Sequence, residues 1–257
     1  ENHMQFIRKR VLAGEVMLGV GANLGSSLTV EMIGAAGFDW TWIDCEHGAG
    51  DYSELIPQIQ AASIYKAPAV VRIAWNEAPR FKRVLDLGAA GIMVPYVTSA
   101  REAEQAAAAM RYPPEGIRGV ARFNRACGFG QDFDTYFKQA NDSLLTVVQI
   151  ETKASVERAE EIAAVAGVDV LFVGPLDLSV NMNMAQNFKH PEFEQAIERV
   201  VAACRQHGKA AGILLPTLDY LSSWTAKGFT FLVVGSDGGC VAGGLKSIAA
   251  ACSQYKK

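Results

Sequence analysis

The chain has 257 residues, of which 50% are hydrophobic and 20% charged, and its formal net charge is -3. This composition is typical of a soluble globular protein with enough chain for one or two domains. Because Lys and Arg are not concentrated in any run, the sequence argues against a nucleic-acid or anionic-membrane partner. No uncharged apolar stretch approaches the ~18 residues that a membrane-spanning helix needs, so we expect none.

The cysteines are odd in number and scattered, without a Cys-x-x-Cys pair or Cys/His pairs at zinc spacing. They are Cys45, Cys127, Cys204, Cys240 and Cys252. This usage fits the reducing cytosol. The first residues, Glu1–Phe6, lack the apolar stretch of a signal peptide, so we expect a cytoplasmic protein.

Short apolar runs alternate with amphipathic helical stretches along the whole chain. The predicted strands are Val16–Val20, Trp40–Asp44, Ala69–Ile73, Gly91–Pro95, Leu144–Ile150, Val168–Val173, Ala211–Leu215 and Thr230–Val234. The predicted helices are Ser26–Ala36, Ser53–Ala62, Ala78–Leu87, Ala100–Met110, Lys153–Val165, Pro191–His207, Leu218–Lys227 and Gly239–Gln254. Continuous Val/Ile/Leu strands separated by helices indicate a parallel sheet that is covered on both faces.

About eight such units favour a closed (β/α)8 TIM barrel, as a single domain over residues 1–257, rather than a doubly wound sheet. A dinucleotide-binding sheet would want Gly-x-Gly-x-x-Gly after the first strand, and Gly19–Leu24 lacks the third glycine. One long irregular segment, Tyr112–Gln131, interrupts the pattern. Long irregular loops in compact domains are more often functional than idle.

In such a barrel, catalytic groups lie where strands end, so polar residues there are read as a set. Period-2 alternation places Gln149 and Glu151 together in the mouth of the barrel. Asp177 follows the neighbouring strand, and two converging carboxylates suit a hard divalent cation such as Mg2+ or Mn2+. The alternative is that both acids stabilise the N-termini of the next helices.

His47 and Arg72 complete the candidate set. Among the four histidines, His47 alone follows a strand, where it is suited to move protons at neutral pH; the alternative is a histidine satisfied by local hydrogen bonds. Arg72 lies inside the otherwise apolar run Ala69–Ile73, so its charge either binds an anionic substrate or pairs with Asp44 or Glu46.

Three other chemistries fit less well. Cys45 lies two residues from His47, so a thiolate–imidazole nucleophile is one candidate. It is disfavoured because alternation points Cys45 and Glu46 to opposite sides and no oxyanion hole is evident. A Schiff-base aldolase needs a lysine in a strand, and the predicted strands contain none. The turn Val234–Gly239 is a candidate phosphate site at a helix N-terminus, but the two acids nearby favour a carboxylate held through a metal.

These residues resemble those of the HpcH/HpaI aldolase family of metal-dependent class II pyruvate aldolases, in order and over nearly the whole chain. The segments that carry the resemblance are Ala36–Trp40, Ile43–His47, Val71-Arg72, Tyr112–Gly119, Gln149–Glu151 and Phe172–Leu178. Any one of these motifs is weak, whereas the combined Glu-His, Gln-x-Glu and Gly-Pro-x-Asp-Leu pattern is highly specific.

The resemblance implies a (β/α)8 barrel in which Glu151 and Asp177 hold Mg2+ or Mn2+, with Co2+ as a third candidate, and the ion chelates pyruvate. It further implies that Arg72 stabilises the enolate oxygen and that His47 acts as base. Asp86 falls where the family has an acid that orients the histidine across a subunit contact. Backbone amides around Gly174, Pro175 and Leu176, and one near Ser26, would hold the carboxylate, and Gln149 lines the same mouth. Such enzymes are typically hexamers with the last helix exchanged between subunits.

We therefore expect an aldolase that reversibly cleaves a 4-hydroxy-2-oxo acid to pyruvate and an aldehyde, with Leu214 near the aldehyde. The alternatives are an oxaloacetate decarboxylase or a CoA-ester lyase with the same site, and a barrel that binds a keto acid without catalysis. Two segments depart from the resemblance, Gly48–Gly50 after the histidine and Ser179–Met184 after the aspartate. Both lie near the expected aldehyde end, so they bear on which aldehyde is used.

Overall fold

The computed structural model describes residues 6–255. Its strands form one closed barrel in chain order, and all neighbouring strands are parallel. They are β1 (Met17–Ala22), β2 (Trp40–Asp44), β3 (Ala69–Arg72), β4 (Gly91–Val94), β5 (Leu145–Ile150), β6 (Val170–Val173), β7 (Ala210–Leu214) and β8 (Phe229–Ser236). This confirms the predicted (β/α)8 TIM barrel, and every predicted strand overlaps an observed one.

Helices surround the barrel. They are α1 (Arg8–Leu12), α2 (Ser27–Ala35), α3 (Tyr52–Ile64), α4 (Ala78–Asp86), α5 (Ala100–Met110), α6 (Phe133–Ser143), α7 (Lys153–Glu157), α8 (Ala159–Ala164), α9 (Pro175–Asn181), α10 (Pro191–Gln206), α11 (Leu221–Lys227) and α12 (Asp237–Cys252), with short 3-10 turns at Arg125–Gly130, Leu218–Tyr220 and Ser253–Tyr255. Polar side chains cap the N-termini of several helices. Asp51 and Glu54 form a capping box on α3, and Ser99 caps α5.

The helix pattern differs from the prediction in a few places. The stretch Lys153–Val165, predicted as one helix, is two helices that meet at Arg158, whose backbone is not helical. Three observed helices were not predicted. α1 and α9 are too short to show a helical period, and α6 follows the irregular segment. Within the described residues, no helix has both the length and the apolar character that crossing a membrane requires.

The interior of the barrel is filled by side chains that alternate along the strands. They are Met17, Trp40, Trp42, Val70, Met93, Leu145, Val147, Val170, Phe172, Ala210, Phe231 and Val233, joined by Ile7 and Val11 at α1. Trp40 stacks on Phe231 with ring centroids 4.0 Å apart. A larger core lies between the outer face of the strands and the helices. Since both faces are buried, the strands read as continuous apolar runs.

The short helix α1 closes the N-terminal end of the barrel. Arg8 forms an ion pair of 3.0 Å with the buried Asp169, which precedes β6, and Val11 packs into the barrel interior. The opposite end, where the strands finish, is left as the mouth. The candidate polar residues at the ends of β2, β3 and β5 therefore lie at the mouth, as expected for this architecture.

Gly19 is a close-packing position in the barrel, since a Cβ there would lie 2.4 Å from the Trp40 ring. We expect Gly19→Ala to lower the free energy of unfolding by about 1–3 kcal/mol, because it overfills a packed core. Urea denaturation followed by tryptophan fluorescence measures this. Gly119→Ala is the matched control, since its Cβ would make only ordinary contacts with Lys82 at 3.7 Å. Equal stability of the two variants would contradict the packing argument.

Candidate functional site

The candidate site begins where the inward-facing positions of the strands change from apolar to polar. Trp40 and Trp42 are followed by Asp44 on β2, and Val70 by Arg72 on β3. Asp44 and Arg72 are register partners on adjacent strands, so their side chains lie side by side at the mouth.

Arg72 is held by two acids and an indole ring. Its Nε and Nη2 donate to the two carboxylate oxygens of Asp44 at 2.9 and 2.8 Å, and its Nη1 lies 3.0 Å from Glu46 Oε2. The guanidinium carbon sits 4.4 Å from the Trp42 ring centroid. Both acids that the sequence offered as pairing partners are thus engaged. This buried, planar arrangement fixes the direction of the guanidinium.

The pKa values of the two acids beside Arg72 shift in opposite directions. Burial opposes the charge on Asp44, but hydrogen bonds from Arg72 and from the amides of Glu46 and His47 outweigh it and lower the pKa of Asp44. Burial raises the pKa of Glu46, although Arg72 acts in the opposite direction.

The His47 side chain is 70% exposed, and its Nε2 lies 4.0 Å from Glu46 Oε1. His47 is therefore open to solvent and free to meet a substrate or water.

Glu151 lies just past the end of β5 and is buried at 2% exposure. Its Oε1 accepts a hydrogen bond of 3.0 Å from Gln149 Nε2, and its Oε2 accepts one of 3.0 Å from the backbone N–H of Tyr96. Burial raises the pKa of Glu151 to about 7, and the charges of Asp177 and Glu46 add to the shift, while the Tyr96 amide opposes it. The structure thus brings Gln149 and Glu151 together in the mouth.

Tyr96 links Glu151 to Asp177, and none of the motifs in the sequence pointed to it. Its hydroxyl donates to Asp177 Oδ1 at 3.2 Å, while its backbone N–H is bound to Glu151. Burial, followed by the charge of Asp177, raises the pKa of Tyr96 to about 12, so the hydroxyl stays a donor at neutral pH. Its φ of 51° is in the left-handed region, which costs a side-chain-bearing residue roughly 1–2 kcal/mol. Its position two residues beyond the end of β4 was the available signal.

Asp177 also lies in the first turn of α9, where an acid stabilises the N-terminus of a helix, so the alternative predicted from the sequence applies to its position. Glu151 does not fit that alternative, because Thr152 caps α7.

Gly174 is required by the position of the Glu151 carboxylate. A Cβ at residue 174 would lie 2.6 Å from Glu151 Oε1, which real contacts do not allow. Its N–H donates to the Ile150 carbonyl at 3.3 Å, and Pro175 has no N–H. Of the three residues expected to hold a substrate carboxylate, Leu176 is therefore the one with an N–H in the open first turn of a helix.

The oxygen atoms in the mouth are suitable ligands for a hard divalent cation. Glu151 and Asp177 supply carboxylate oxygens, and the two groups that donate hydrogen bonds to Glu151 are uncharged. Gln149 Oε1 is buried without a hydrogen-bond partner in the described structure, so a further polar atom faces the same place. Among residues 6–255, no group of three or more His, Cys, Asp or Glu side chains forms a metal centre, so solvent or substrate oxygens would complete the coordination.

Asp86 and Leu214 lie apart from this cluster. Asp86 is the last residue of α4 and lies at the opposite end of the barrel from His47 of the same chain. Its Oδ1 accepts a hydrogen bond of 2.7 Å from Arg118 Nη2. A role for Asp86 beside the histidine therefore requires a second copy of the chain. Leu214 ends β7 and packs against the interior cluster of the barrel at the rim.

Two alternatives lose support in the structure. Burial, with the charges of Asp44 and Asp51, raises the pKa of Cys45 to about 11, so its thiol is a poor nucleophile. At the start of α12, the buried Asp237 carboxylate accepts hydrogen bonds from the backbone N–H groups of Asn23 and Gly238, at 2.9 and 2.7 Å. The chain's own carboxylate thus fills the place proposed for phosphate.

Comparisons with known proteins agree with this geometry. The family model described as HpcH/HpaI aldolase/citrate lyase matches residues 20–243. The 5-keto-4-deoxy-D-glucarate aldolase of Salmonella arizonae is 41% identical over 237 residues, 92% of each chain. The protein of that name from Klebsiella pneumoniae is 42% identical over 225 residues, 88% of each chain.

A solved structure gives the same result. It is an HpcH/HpaI aldolase/citrate lyase family protein from Burkholderia cenocepacia, with a TM-score of 0.89 at 33% identity, and the match covers 98% of this chain and 99% of that one. A family model over most of the chain, relatives above 40% identity and a shared barrel agree with one another. The chain belongs to the HpcH/HpaI aldolase/citrate lyase family.

Proposed function

We propose that this site cleaves a 4-hydroxy-2-oxo acid reversibly to pyruvate and an aldehyde with the help of a divalent metal ion. The enzyme class follows from the family, since relatives at 41 and 42% identity are aldolases, and the chain is a carbon–carbon lyase of class II. The observation that carries the metal dependence is the buried Glu151 carboxylate, whose donors, Gln149 and the Tyr96 amide, are uncharged. These relatives also favour bond cleavage over a barrel that only binds a keto acid.

Charge at the mouth supports a cation. Asp44, Glu46, Glu151 and Asp177 are four acids, and Arg72 is the guanidinium that pairs with the first two. An anionic keto acid would be repelled by this set unless further positive charge were present. We propose that Glu151 and Asp177 hold Mg2+ or Mn2+, with Co2+ as a third candidate, because carboxylates are the ligands that hard cations prefer. When bound, such an ion stabilises negative charge on oxygen without a proton transfer.

Arg72 is proposed to stabilise the charge that develops during cleavage. When the C3–C4 bond breaks, its electrons form the C2–C3 double bond and leave negative charge on the C2 oxygen. Asp44 and Glu46 hold the guanidinium in one orientation before the substrate arrives, so little reorganisation accompanies the reaction.

His47 is proposed as the base. It takes the proton of the C4 hydroxyl, through water, as the aldehyde carbonyl forms, and a proton then reaches C3 to give pyruvate. Its exposed side chain leaves it accessible for this transfer. The Leu176 amide is proposed to bind the substrate carboxylate, with Gln149 beside it, and Leu214 to lie near the aldehyde. The sugar-acid relatives support a 2-keto-3-deoxy sugar acid as substrate.

The assembly is proposed to be a homo-oligomer, a hexamer, of single-domain chains in the cytoplasm. Val241, Leu245 and Ile248 form an apolar stripe on α12 that is 47, 63 and 63% exposed. Leu28 and Met32 on α2 are each 67% exposed. Such stripes support contact with a second copy, which would also bring an Asp86 to His47. The five free cysteines support a reducing compartment.

Removal of metal tests the proposal directly. We expect dialysis against EDTA to abolish cleavage, measured as pyruvate released in a lactate dehydrogenase-coupled assay, and Mn2+ or Mg2+ to restore it. The coupling enzyme without aldolase is the control. Full activity in chelator would show that metal dependence is wrong.

Substitution separates the metal ligands from the base. We expect Glu151→Gln or Asp177→Asn to weaken Mn2+ binding by more than ~100-fold, since even the partners of ligands contribute 10–100-fold. We expect His47→Ala to retain Mn2+ binding while turnover falls by about 10²–10⁴-fold. Glu157→Gln, on the exposed face of α7, is the control. Normal turnover in His47→Ala would remove its assignment as base.

Gly174→Ala should displace the Glu151 carboxylate, because the new Cβ would lie 2.6 Å from Oε1. We expect Mn2+ affinity to fall by about 10-fold or more, measured by titration calorimetry. Gly235→Ala is the matched control at the mouth, since no atom lies within 4 Å of its Cβ. Mn2+ binding by Gly174→Ala at the wild-type affinity would contradict this use of the glycine.

A further inference from the structure

Tyr96 contacts both candidate metal ligands, although it is not itself one of them. Its backbone N–H donates to Glu151 Oε2 at 3.0 Å and its side-chain hydroxyl donates to Asp177 Oδ1 at 3.2 Å. Tyr96, two residues beyond the end of β4, therefore bridges the residue that follows β5 and the first turn of α9. The other oxygen of Glu151 is bound by Gln149, so both oxygens of that carboxylate have a fixed donor.

The two carboxylates differ in how firmly the rest of the chain holds them. Glu151 is buried, and Gly174 packs against it. Asp177 is only half-buried, and Tyr96 beside it is 39% exposed. A side chain there loses rotamer freedom when it binds an ion, unless a neighbour already holds it. The Tyr96 hydroxyl is such a neighbour.

The Tyr96 ring is itself held in place. Its left-handed backbone, with φ of 51°, turns the chain so that the N–H faces Glu151 while the ring reaches Asp177. The Trp75 ring lies beside it, with centroids 6.4 Å apart and planes at 32°. An aromatic pair of this kind adds a stabilising contact, which favours the ring position from which the hydroxyl reaches Asp177.

We propose that Tyr96 is a positioning residue that sets the affinity of the site for its divalent cation by orienting the Asp177 carboxylate. This inference rests on the proposed function, since it takes Glu151 and Asp177 as the ligands. Hydrogen-bond donors to ligating carboxylates orient them for the ion, and their loss typically weakens binding by 10–100-fold. The aromatic ring and backbone of Tyr96 are retained in phenylalanine, so Tyr96→Phe removes the hydroxyl alone.

The test measures binding of Mn2+ by the full-length protein, from the electron paramagnetic resonance signal of free Mn2+, without substrate. We expect the Kd of Tyr96→Phe for Mn2+ to rise about 10-fold. Its kcat at saturating Mn2+ should stay close to that of the wild type, because the hydroxyl acts through Asp177 and not on the substrate. Tyr65→Phe is the matched control, since Tyr65 is 50% exposed at the end of α3, and it should leave both values unchanged.

Asp177→Asn, measured alongside, separates this inference from the proposed function. If Asp177→Asn loses Mn2+ binding while Tyr96→Phe keeps the wild-type Kd, or binds more tightly, the role of Tyr96 is wrong and the metal site stands. If Asp177→Asn binds Mn2+ as the wild type does, both proposals are overturned. The thermal midpoint of each variant, matched to the wild type, confirms that the altered Kd comes from a folded protein.

Discussion

The buried carboxylate of Glu151 is the constraint on which the arrangement of the mouth depends. A charged group removed from water is costly unless donors or cations surround it. Here the donors are the Gln149 amide and the Tyr96 N–H, and the pKa of Glu151 is raised to about 7 by burial and by neighbouring acids. Glycine at position 174 leaves room for the carboxylate, and the left-handed backbone of Tyr96 supplies one of its two donors.

The other two acids at the mouth, Asp44 and Glu46, have a cation supplied by the chain itself. Asp44 and Glu46 share the Arg72 guanidinium, which also lies against Trp42. The two halves of the mouth thus differ: Arg72 lies beside Asp44 and Glu46, whereas the groups that donate to Glu151 and Asp177 within residues 6–255 are neutral. The first half suits a fixed positive group that meets developing charge, and the second suits an ion that binds and leaves. The proposed aldolase chemistry uses both halves on one substrate.

Much of this was predictable from the sequence, for physical reasons. Strands buried on both faces are continuous apolar runs, so β2 was predicted with its observed bounds, and the change from Trp42 to Asp44 marks the rim. Period-2 alternation placed Gln149 and Glu151 on one face, where the structure shows them hydrogen-bonded. Tyr96 could not be found in this way, because its contribution depends on a backbone angle that no sequence pattern predicts for tyrosine.

The departures from the family pattern after His47 also have a structural reason. A Cβ at Gly48 would lie 2.1 Å from the Asp44 carbonyl oxygen, so glycine is required by the tight turn that brings Glu46 back to Arg72. Gly50 lies against Gly25, and the Ala49 N–H donates to the Asn23 carbonyl at 2.9 Å. These glycines set the position of the loop that carries His47. The loop thus supports the proposed base, and Gly48 and Gly50 have no side chain of their own to contact a substrate.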